Sequence, residues 1–220
     1  MYSKSEQDYN DIAEQALRHD RTCRGWLPHE PCTCEKVKTM KKYEFTDETR
    51  EIYGVLLHRI RRISDGVIGG WIQDESNLSH GGDCFVYENA CVYGNAIVSD
   101  EACVFGNAIV FGNARISNKV WVYGNAQVYG DARVYGDALV YGDACVFNNA
   151  CVYDNAQVFG NACVYDNACV YDNARIFNSA RVFDHAWVYG NARVYGDACV
   201  GGNTCVHGDV YIDGNEEIAS

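Results

Sequence analysis

Hydrophobic and polar positions follow a six-residue period in this chain from Val86 to Ile212. Each repeat holds an aliphatic residue, an aromatic residue, then Gly, Asp or Asn, then Asn or Asp, then Ala, then a variable residue, as in Val122-Tyr-Gly-Asn-Ala-Gln127. This period fits neither an amphipathic helix nor a repeat built from hairpins. It predicts short straight segments separated by corners, so that three segments form one coil and successive coils stack as parallel strands roughly 4.8 Å apart.

Three positions of the repeat predict how the corners and the core are built. The first position is almost always Val or Ile, which pack well on a pleated surface, so we expect it to face the interior. The Ala position, from Ala90 to Ala198, suits the inside of a tight corner. Between them lies a position held almost entirely by Gly, Asp and Asn, the residues that best tolerate a left-handed backbone. The pattern therefore predicts an all-β coil with corners at fixed places.

These repeats resemble the hexapeptide-repeat family, whose fold is a left-handed parallel β-helix; the handedness is implied by that resemblance. Twenty-two inward positions give about seven coils over residues 84–215, with a C-terminal tail at 216–220. The stretch from Met40 to Tyr87 resembles the start of hexapeptide-repeat proteins encoded by bacteriophages and prophages. The resemblance implies a phage or prophage origin, and a homotrimer is the usual state of the family.

Residues 40–83 precede the repeat and are expected to form a capping hairpin and the first coil. An alternating stretch breaks at Asp47-Glu-Thr49 and is followed by β-forming residues, which predicts a hairpin turning there. Gly66 and then Gly69-Gly70 are expected to turn the chain again. The open apolar end of a stack of coils needs a cover, and we expect Trp71 to lie over it. Two further residues, Ile72 and Leu78, fall in six-residue phase with Cys84 and Ala90.

Residues 1–39 differ in composition from the rest and are expected to form an N-terminal extension with a short helix over 5–18, followed by a loop. The loop contains Cys23, Cys32 and Cys34, with His29 nearby. Thiols and imidazoles of this kind supply tetrahedral zinc sites. The spacing is irregular and lacks a Cys-x-x-Cys pair, so a flexible loop with reduced thiols is the alternative.

The charge of the chain narrows the classes of partner. Its formal net charge is −12, and the region from Cys84 onward holds fifteen acidic residues against six basic ones. An acidic surface disfavours binding to a phosphate backbone, so we do not expect a nucleic-acid partner. The sequence contains no run of eighteen apolar residues and has a polar N-terminus. We therefore expect a soluble, cytoplasmic protein that has no membrane partner.

Outward-facing residues that are eighteen apart are predicted to form ladders. Aromatic ladders either brace the corners by stacking or offer an interaction surface. Arginines in the same ladder are candidates for contact with phosphates. The candidate ligand or interface residues are Tyr123, Tyr141, Tyr135, Tyr153, Tyr171, Tyr189, Trp121, Trp187, Arg115 with Arg133, and Arg175 with Arg193. Apolar outer faces favour self-association, and a closed homotrimer avoids open filaments.

Nine of the twelve cysteines lie in the repeat, and all nine except Cys84 hold the variable position. Two pairs are predicted to stack on neighbouring coils: Cys145 with Cys163, and Cys151 with Cys169. Because the repeat itself imposes this spacing, it is not a disulfide signature. We expect reduced thiols that act as small apolar side chains.

Catalysis is the less favoured interpretation of the sequence. Acyltransferases of the resembled family use a catalytic His and usually a loop that leaves the coil, whereas here the repeat runs without insertion and His80, His185 and His207 are scattered. We expect no catalytic residues and, apart from the zinc hypothesis, no cofactor. The favoured function is a non-catalytic oligomeric binding or scaffold protein that inhibits a host defence component or holds a small nucleotide-like ligand between subunits. The alternatives are an acyltransferase-like enzyme with an intersubunit site, a structural virion protein, or an acidic mimic of DNA.

Overall fold

A computed structural model describes residues 41–214 and 217–219. Over these residues the chain is an all-β parallel solenoid built from three sheets, which have eleven, seven and eight strands and are called here sheet 1, sheet 2 and sheet 3. The prediction of a parallel β-helix is confirmed. The eight strands of sheet 3 correspond to about eight turns, close to the seven coils expected from the sequence.

The strands that precede the repeat are longer than the strands within it, most of which contain two residues. Two long strands, β1 (Tyr43–Ile52) and β2 (Val55–Arg62), come first and are followed by β3 (Ile68–Ile72) and a 3₁₀ turn at Glu75–Asn77. The strands of the repeat are β4 (Phe85–Val86), β5 (Cys91–Val92), β6 (Ile97–Val98), β7 (Cys103–Val104), β8 (Ile109–Val110), β9 (Arg115–Ile116), β10 (Trp121–Val122), β11 (Gln127–Val128), β12 (Arg133–Val134), β13 (Leu139–Val140), β14 (Cys145–Val146), β15 (Cys151–Val152), β16 (Gln157–Val158), β17 (Cys163–Val164), β18 (Cys169–Val170), β19 (Arg175–Ile176), β20 (Arg181–Val182), β21 (Trp187–Val188), β22 (Arg193–Val194), β23 (Cys199–Gly201), β24 (Cys205–Val206), β25 (Tyr211–Ile212) and β26 (Glu217–Ala219).

The order of strands within each sheet shows how the coils stack. Sheet 1 runs β1-β2-β3-β5-β8-β11-β14-β17-β20-β23-β26, sheet 2 runs β6-β9-β12-β15-β18-β21-β24, and sheet 3 runs β4-β7-β10-β13-β16-β19-β22-β25. Within the repeat, each strand pairs in parallel with the strand three places further along the chain. The antiparallel pairs among the described strands are β1 with β2 and β2 with β3.

Two columns of side chains fill the interior of the coils. The inward aliphatic residues from Val86 to Val200 and the corner alanines from Ala90 to Ala198 are fully buried. The aliphatic residues stack in register, and backbone N–H groups such as that of Tyr123 donate to carbonyls of the next coil, here at 3.0 Å. Burying a Val side chain contributes roughly 1.5–3 kcal/mol, so the repeated valines are the main source of cohesion between coils.

The corners of the repeat use the left-handed backbone that the sequence predicts. From Val86 to Ile212, the residue two places after each inward aliphatic has a positive φ, as at Asn118 (60°), Gly136 (78°) and Asp154 (54°). Polar side chains in this position also bind the next coil, since the Asp172 carboxylate accepts a 3.0 Å hydrogen bond from the backbone N–H of Gly190. The choice among Gly, Asp and Asn therefore sets both corner geometry and contacts between coils.

The first coil departs from the six-residue phase. Ile72 pairs with Val92 and Leu78 bridges to Val98, so both occupy the inward aliphatic column. The six-residue phase with Cys84 and Ala90 would have placed Ile72 and Leu78 in the column of corner alanines, and this expectation was wrong. Cys84 itself does hold an alanine position and is fully buried. The physical reason is a bend between Leu78 and Cys84, which makes this coil two residues longer than the others.

The hairpin turns later than predicted. Its tip is Tyr53-Gly54, with φ angles of 51° and 78°, and Ile52 pairs with Val55 across it. Two-residue turns with positive φ match the twist of paired strands, whereas Asp47-Glu-Thr49 lies inside β1. The pairing register shifts between Phe45 and Thr49, so the polar stretch marks an irregularity within the strand rather than the turn.

The expected cover over the apolar end was assigned to the wrong residue. Because Ile72 faces the interior, its neighbour Trp71 points to the outer face of sheet 1, where its ring lies 4.5 Å from the Arg50 guanidinium. Instead, Tyr43 and Ile60 are fully buried in the main core and cover its first coil. The hairpin thus caps the solenoid, but with its own side chains.

Gly69 and Gly70 lie inside β3 and do not form the expected turn. An added Cβ on Gly70 would stand 2.6 Å from the carbonyl oxygen of Ala90, and one on Gly69 would stand 2.6 Å from the Ile60 side chain. Glycine is required here because β3 runs unusually close to the first coil. The turn at Gly66, with φ at 75°, does occur as predicted.

Other sequence predictions fall at the ends of the chain. Strand β26 pairs with β23 in sheet 1, so the solenoid continues into the segment assigned to a C-terminal tail. The predicted helix over 5–18 and the candidate zinc ligands of residues 1–39 lie outside the described residues. No helix in the described part of the chain is long and apolar enough to cross a membrane.

Candidate functional site

Aromatic side chains form stacked columns beside the corners, as predicted. Ring centroids of Tyr123 and Tyr141 lie 4.8 Å apart at an interplanar angle of 2°. Another column joins the predicted residues Tyr135, Tyr153, Tyr171 and Tyr189. Each of these tyrosines stacks on rings of its own chain, which braces neighbouring coils. Burial in the column, followed by electrostatic repulsion from the neighbouring Tyr189 phenol, raises the pKa of Tyr171 to about 12.

A ladder of side-chain amides follows the corner between sheet 2 and sheet 3. The Nδ2 of Asn155 donates to Oδ1 of Asn173 at 3.3 Å, Asn173 donates to Asn191 at 3.3 Å, and Asn191 donates to Asp209 at 2.9 Å. An amide both donates and accepts, whereas a carboxylate only accepts. The ladder therefore runs in one direction and ends at Asp209.

A groove of about 480 Å³ lies between this amide ladder and the outer face of sheet 3. Its other wall consists of Gln157, Arg175, Arg193 and Tyr211, which share one column of variable positions. The Oε1 of Gln157 accepts hydrogen bonds from Arg175 at 3.1 Å and 2.9 Å, and the Arg193 guanidinium lies 5.2 Å from the Tyr211 ring. Both arginines are thus positioned by neutral neighbours.

The two arginines of the groove form no ion pair among the residues that the structure describes, although the Asp209 carboxylate lines the same groove. Arg175 and Arg193 pair in register on adjacent strands and are half-buried. The ion pairs found in the described part of the chain all lie within residues 41–80, so neither arginine has one. Like charges placed directly opposite each other across strands are destabilising. An anion that contacts both guanidiniums would relieve this repulsion and gain charge-assisted hydrogen bonds.

The second predicted arginine pair is placed differently. Arg115 and Arg133 are also in register, but on sheet 2, and both are exposed. The two tryptophans are separated as well, since Trp121 lies on sheet 3 and Trp187 on sheet 2, with exposed fractions of 49 % and 48 %. The structure therefore brings each predicted pair together without uniting all the candidates at one site.

All nine cysteines of the repeat are free thiols in the structure. The two pairs predicted to stack do so, with Cys145 in register with Cys163 and Cys151 in register with Cys169. All four side chains are half-buried. The other candidate thiols, those of the zinc hypothesis, lie in residues outside the described part.

The three histidines considered for catalysis lie far apart in the fold. His80 stacks on the Tyr43 ring at 4.3 Å, and its Nδ1 accepts a 3.2 Å hydrogen bond from the backbone N–H of Lys42. His185 is exposed at a corner, and His207 is exposed at the end of an aromatic ladder. His80 therefore helps to fix the capping hairpin.

Sequence reasoning missed a second groove, of about 580 Å³, at the capping end. Lys42 lines it and donates to the Cys84 carbonyl at 2.6 Å, while Arg62 in the same groove pairs with Asp65 at 2.8 Å. Nothing in the hairpin sequence indicates the contact between Lys42 and Cys84, which lie 42 residues apart in the chain. Gln157 was not among the predicted site residues, although the eighteen-residue spacing places it in the same column as Arg175.

These features define the protein as a three-sided parallel β-solenoid repeat protein that carries a cationic groove on one face. Residues 126–142 and 186–202 match the family model of the YdcK β-solenoid repeat. No curated protein matches the sequence. The matched segments lie within the regular coils, so the comparison supports the repeat fold.

Proposed function

We propose that the protein is a non-catalytic binding scaffold whose groove at Arg175 and Arg193 holds a small phosphate-bearing, nucleotide-like ligand. The observation that carries this proposal is the pair of half-buried guanidiniums in register, which have no ion pair among the described residues. A diphosphate group presents several oxygens to such a pair, and guanidiniums bind phosphates through two parallel hydrogen bonds.

The remaining walls of the groove suit the rest of a nucleotide. The Tyr211 ring is 59 % exposed at the end of the arginine column, where it offers a stacking surface for a base. Asn173 and Asn191 offer amide groups to sugar hydroxyls on the opposite wall. The volume of about 480 Å³ lies within the range of small-molecule sites. The carboxylate of Asp209, at the end of the amide ladder, repels additional phosphate groups on that side of the groove.

A small anion fits this protein better than a nucleic acid. The chain carries a net charge of −12, which repels an extended phosphate backbone. The arginine pair instead concentrates positive charge in one groove, where it acts over a few ångströms. A ligand with two or three phosphates and one base matches the size of that groove.

We also propose that the chain acts as a closed homotrimer. The support is the pair of half-exposed tryptophans, Trp121 and Trp187, on two outer faces of the solenoid. Large exposed apolar side chains of this kind mark interaction surfaces, and a closed ring avoids filaments.

A bacteriophage or prophage origin, with a role against a host defence that signals through nucleotides, completes the proposal. Its support is the resemblance of the segment from Met40 to Tyr87 to the start of phage-encoded repeat proteins. Expression in bacteria that carry such a defence is expected to raise the plating efficiency of a sensitive phage, and R175Q/R193Q is expected to abolish that gain.

Calorimetric titration with adenosine diphosphate and with pyrophosphate tests the site directly. Loss of two charge-assisted hydrogen bonds of about 1.5–3 kcal/mol each predicts at least about 100-fold weaker binding for R175Q/R193Q. The matched control R115Q/R133Q removes the same charge from sheet 2 and is expected to bind like the wild type. Equal binding by all three proteins, or loss in the control alone, would contradict the assignment. Binding of pyrophosphate but not of the nucleotide would exclude a role for Tyr211.

A further inference from the structure

Two pairs of free thiols lie side by side on the same two neighbouring coils. Cys145 is in register with Cys163 on sheet 1, and Cys151 is in register with Cys169 on sheet 2. All four thiols are half-buried at the variable position and point away from the valine core. Each pair therefore presents two sulfur atoms side by side within reach of solvent.

The spacing of the coils favours a bridging ion over a disulfide. In-register parallel strands lie about 4.8 Å apart, and because the Cα–Cβ bonds of stacked residues run side by side, the two Cβ atoms are separated by about the same distance. A disulfide requires Cβ atoms about 3.5–4.5 Å apart. Closing that difference would strain inter-coil hydrogen bonds such as that from Cys145 N–H to Ala162 O, at 2.9 Å. An ion placed between two sulfur atoms in line can join side chains about one coil spacing apart, so it does not require the coils to move.

We propose that each thiol pair is a two-coordinate site for a soft monovalent cation, Cu(I). Thiolates are the ligands that select this ion. No group of three or more His, Cys, Asp or Glu side chains in the described part of the chain is placed to hold a metal. An ion satisfied by two in-line sulfurs fits these pairs better than tetrahedral zinc, which needs four ligands.

An arginine flanks each pair in the same column. Arg181 is in register with Cys163, and Arg133 is in register with Cys151. Binding of one Cu(I) displaces two thiol protons to solvent and leaves a bis-thiolate complex of charge −1, which the guanidinium offsets.

Two thiols of the repeat provide contrast. Cys199 is in register with Arg181 and Glu217, and Cys205 is in register with Trp187. Neither has a second thiol on an adjacent coil, so neither is expected to hold the ion with two sulfurs. Cys199 is the better control because it is also half-buried and has an arginine neighbour.

Anaerobic competition between the protein and the chelator bicinchoninate for Cu(I) tests the proposal. The substitutions C23S/C32S/C34S in the full chain remove the thiols of residues 1–39, and this protein is expected to bind two ions. In this background C163S and C169S are each expected to lose one ion, because the affinity of the broken pair falls about 10²–10⁴-fold. C145S breaks the same pair as C163S and is expected to give the same result.

The control C199S is expected to keep both ions, and circular dichroism is expected to show the same fold in every variant. The proposal is overturned if the fully reduced protein takes up no Cu(I). It is also overturned if C163S still binds two ions, or if C199S loses as much binding as C163S.

Discussion

Replacing Tyr141 by Ala tests whether the aromatic ladders brace the coils. Tyr141 lies between Tyr123 and Phe159, with both centroid distances at 4.8 Å and interplanar angles of 2° and 0°. Each stacked pair contributes about 0.5–1.5 kcal/mol beyond burial, so losing both is expected to lower the free energy of unfolding by about 1–3 kcal/mol. Tyr195 ends the same ladder and stacks on Phe177 at 5.0 Å, so Tyr195→Ala is expected to cost less.

A double-mutant cycle isolates the stacking from simple burial. For Tyr141→Ala with Phe159→Ala, which remove a direct pair, we expect a coupling of about 0.5–1.5 kcal/mol. The control combines Tyr141→Ala with Tyr153→Ala, which lie in different ladders, and is expected to be additive within about 0.5 kcal/mol. Urea unfolding followed by circular dichroism gives the free energies, provided that the slopes with denaturant agree among variants.

Two results would refute the brace interpretation. A direct pair that is as additive as the control would mean that the rings contribute burial alone. A loss for Tyr141→Ala that changes with protein concentration would place this ladder in a subunit interface, since only an association equilibrium depends on concentration. The brace interpretation instead requires a loss that is independent of concentration.

Three further substitutions test other contacts. Tyr43→Phe removes the hydroxyl that donates to the buried Leu78 carbonyl at 2.8 Å and is expected to cost about 1–3 kcal/mol in urea unfolding. Gly201→Ala places a Cβ 2.5 Å from the Phe183 ring and is expected to cost about 1–3 kcal/mol through overpacking, read as a lower Tm. Burial raises the pKa of Tyr171 to about 12, so the unfolded phenol ionises first, and its contribution to stability is lost as pH rises from about 10 toward 12. Tyr171→Phe is expected to reduce that alkaline loss.

Each of these predictions has a clear contrary outcome. An unchanged urea midpoint for Tyr43→Phe would mean that the Leu78 carbonyl needs no donor. Gly81→Ala is the control for Gly201→Ala, because neither glycine has a positive φ and a Cβ at Gly81 meets only the Ser79 hydroxyl, at 3.5 Å. An equal Tm loss would show that overpacking against Phe183 is not the cause. Identical urea midpoints at high pH for the wild type and Tyr171→Phe would refute the alkaline prediction.

The repeat code predicted the coils well because its constraints are local. A residue such as Val140 needs only its own hexad to fix an inward direction, and Asp154 needs only its backbone preference to make a corner. The first coil and the hairpin depend instead on contacts between distant residues. The six-residue period could not reveal that the first coil is two residues longer than the others. Trp71 faces outward because its neighbour Ile72 faces the interior, and the structure was needed to show this.

The candidate site was predictable in part for the same reason. Spacing by eighteen residues placed Arg175 beside Arg193 and Arg115 beside Arg133, and both pairs are in register. The sequence could not show which pair is half-buried, because that depends on side-chain contacts such as those of Arg175 with Gln157 and Phe159. For the Cys145 and Cys163 pair, register was predictable, whereas the fit to a bridging ion rests on the coil spacing.

Native mass spectrometry with added adenosine diphosphate tests the binding-scaffold proposal most directly. The groove and the half-exposed tryptophans predict a closed trimer carrying one nucleotide per chain. The same occupancy is expected for R115Q/R133Q, and none for R175Q/R193Q. A wild-type protein that binds no nucleotide, or an R175Q/R193Q variant that binds as much as the wild type, would contradict the assignment of the arginine groove.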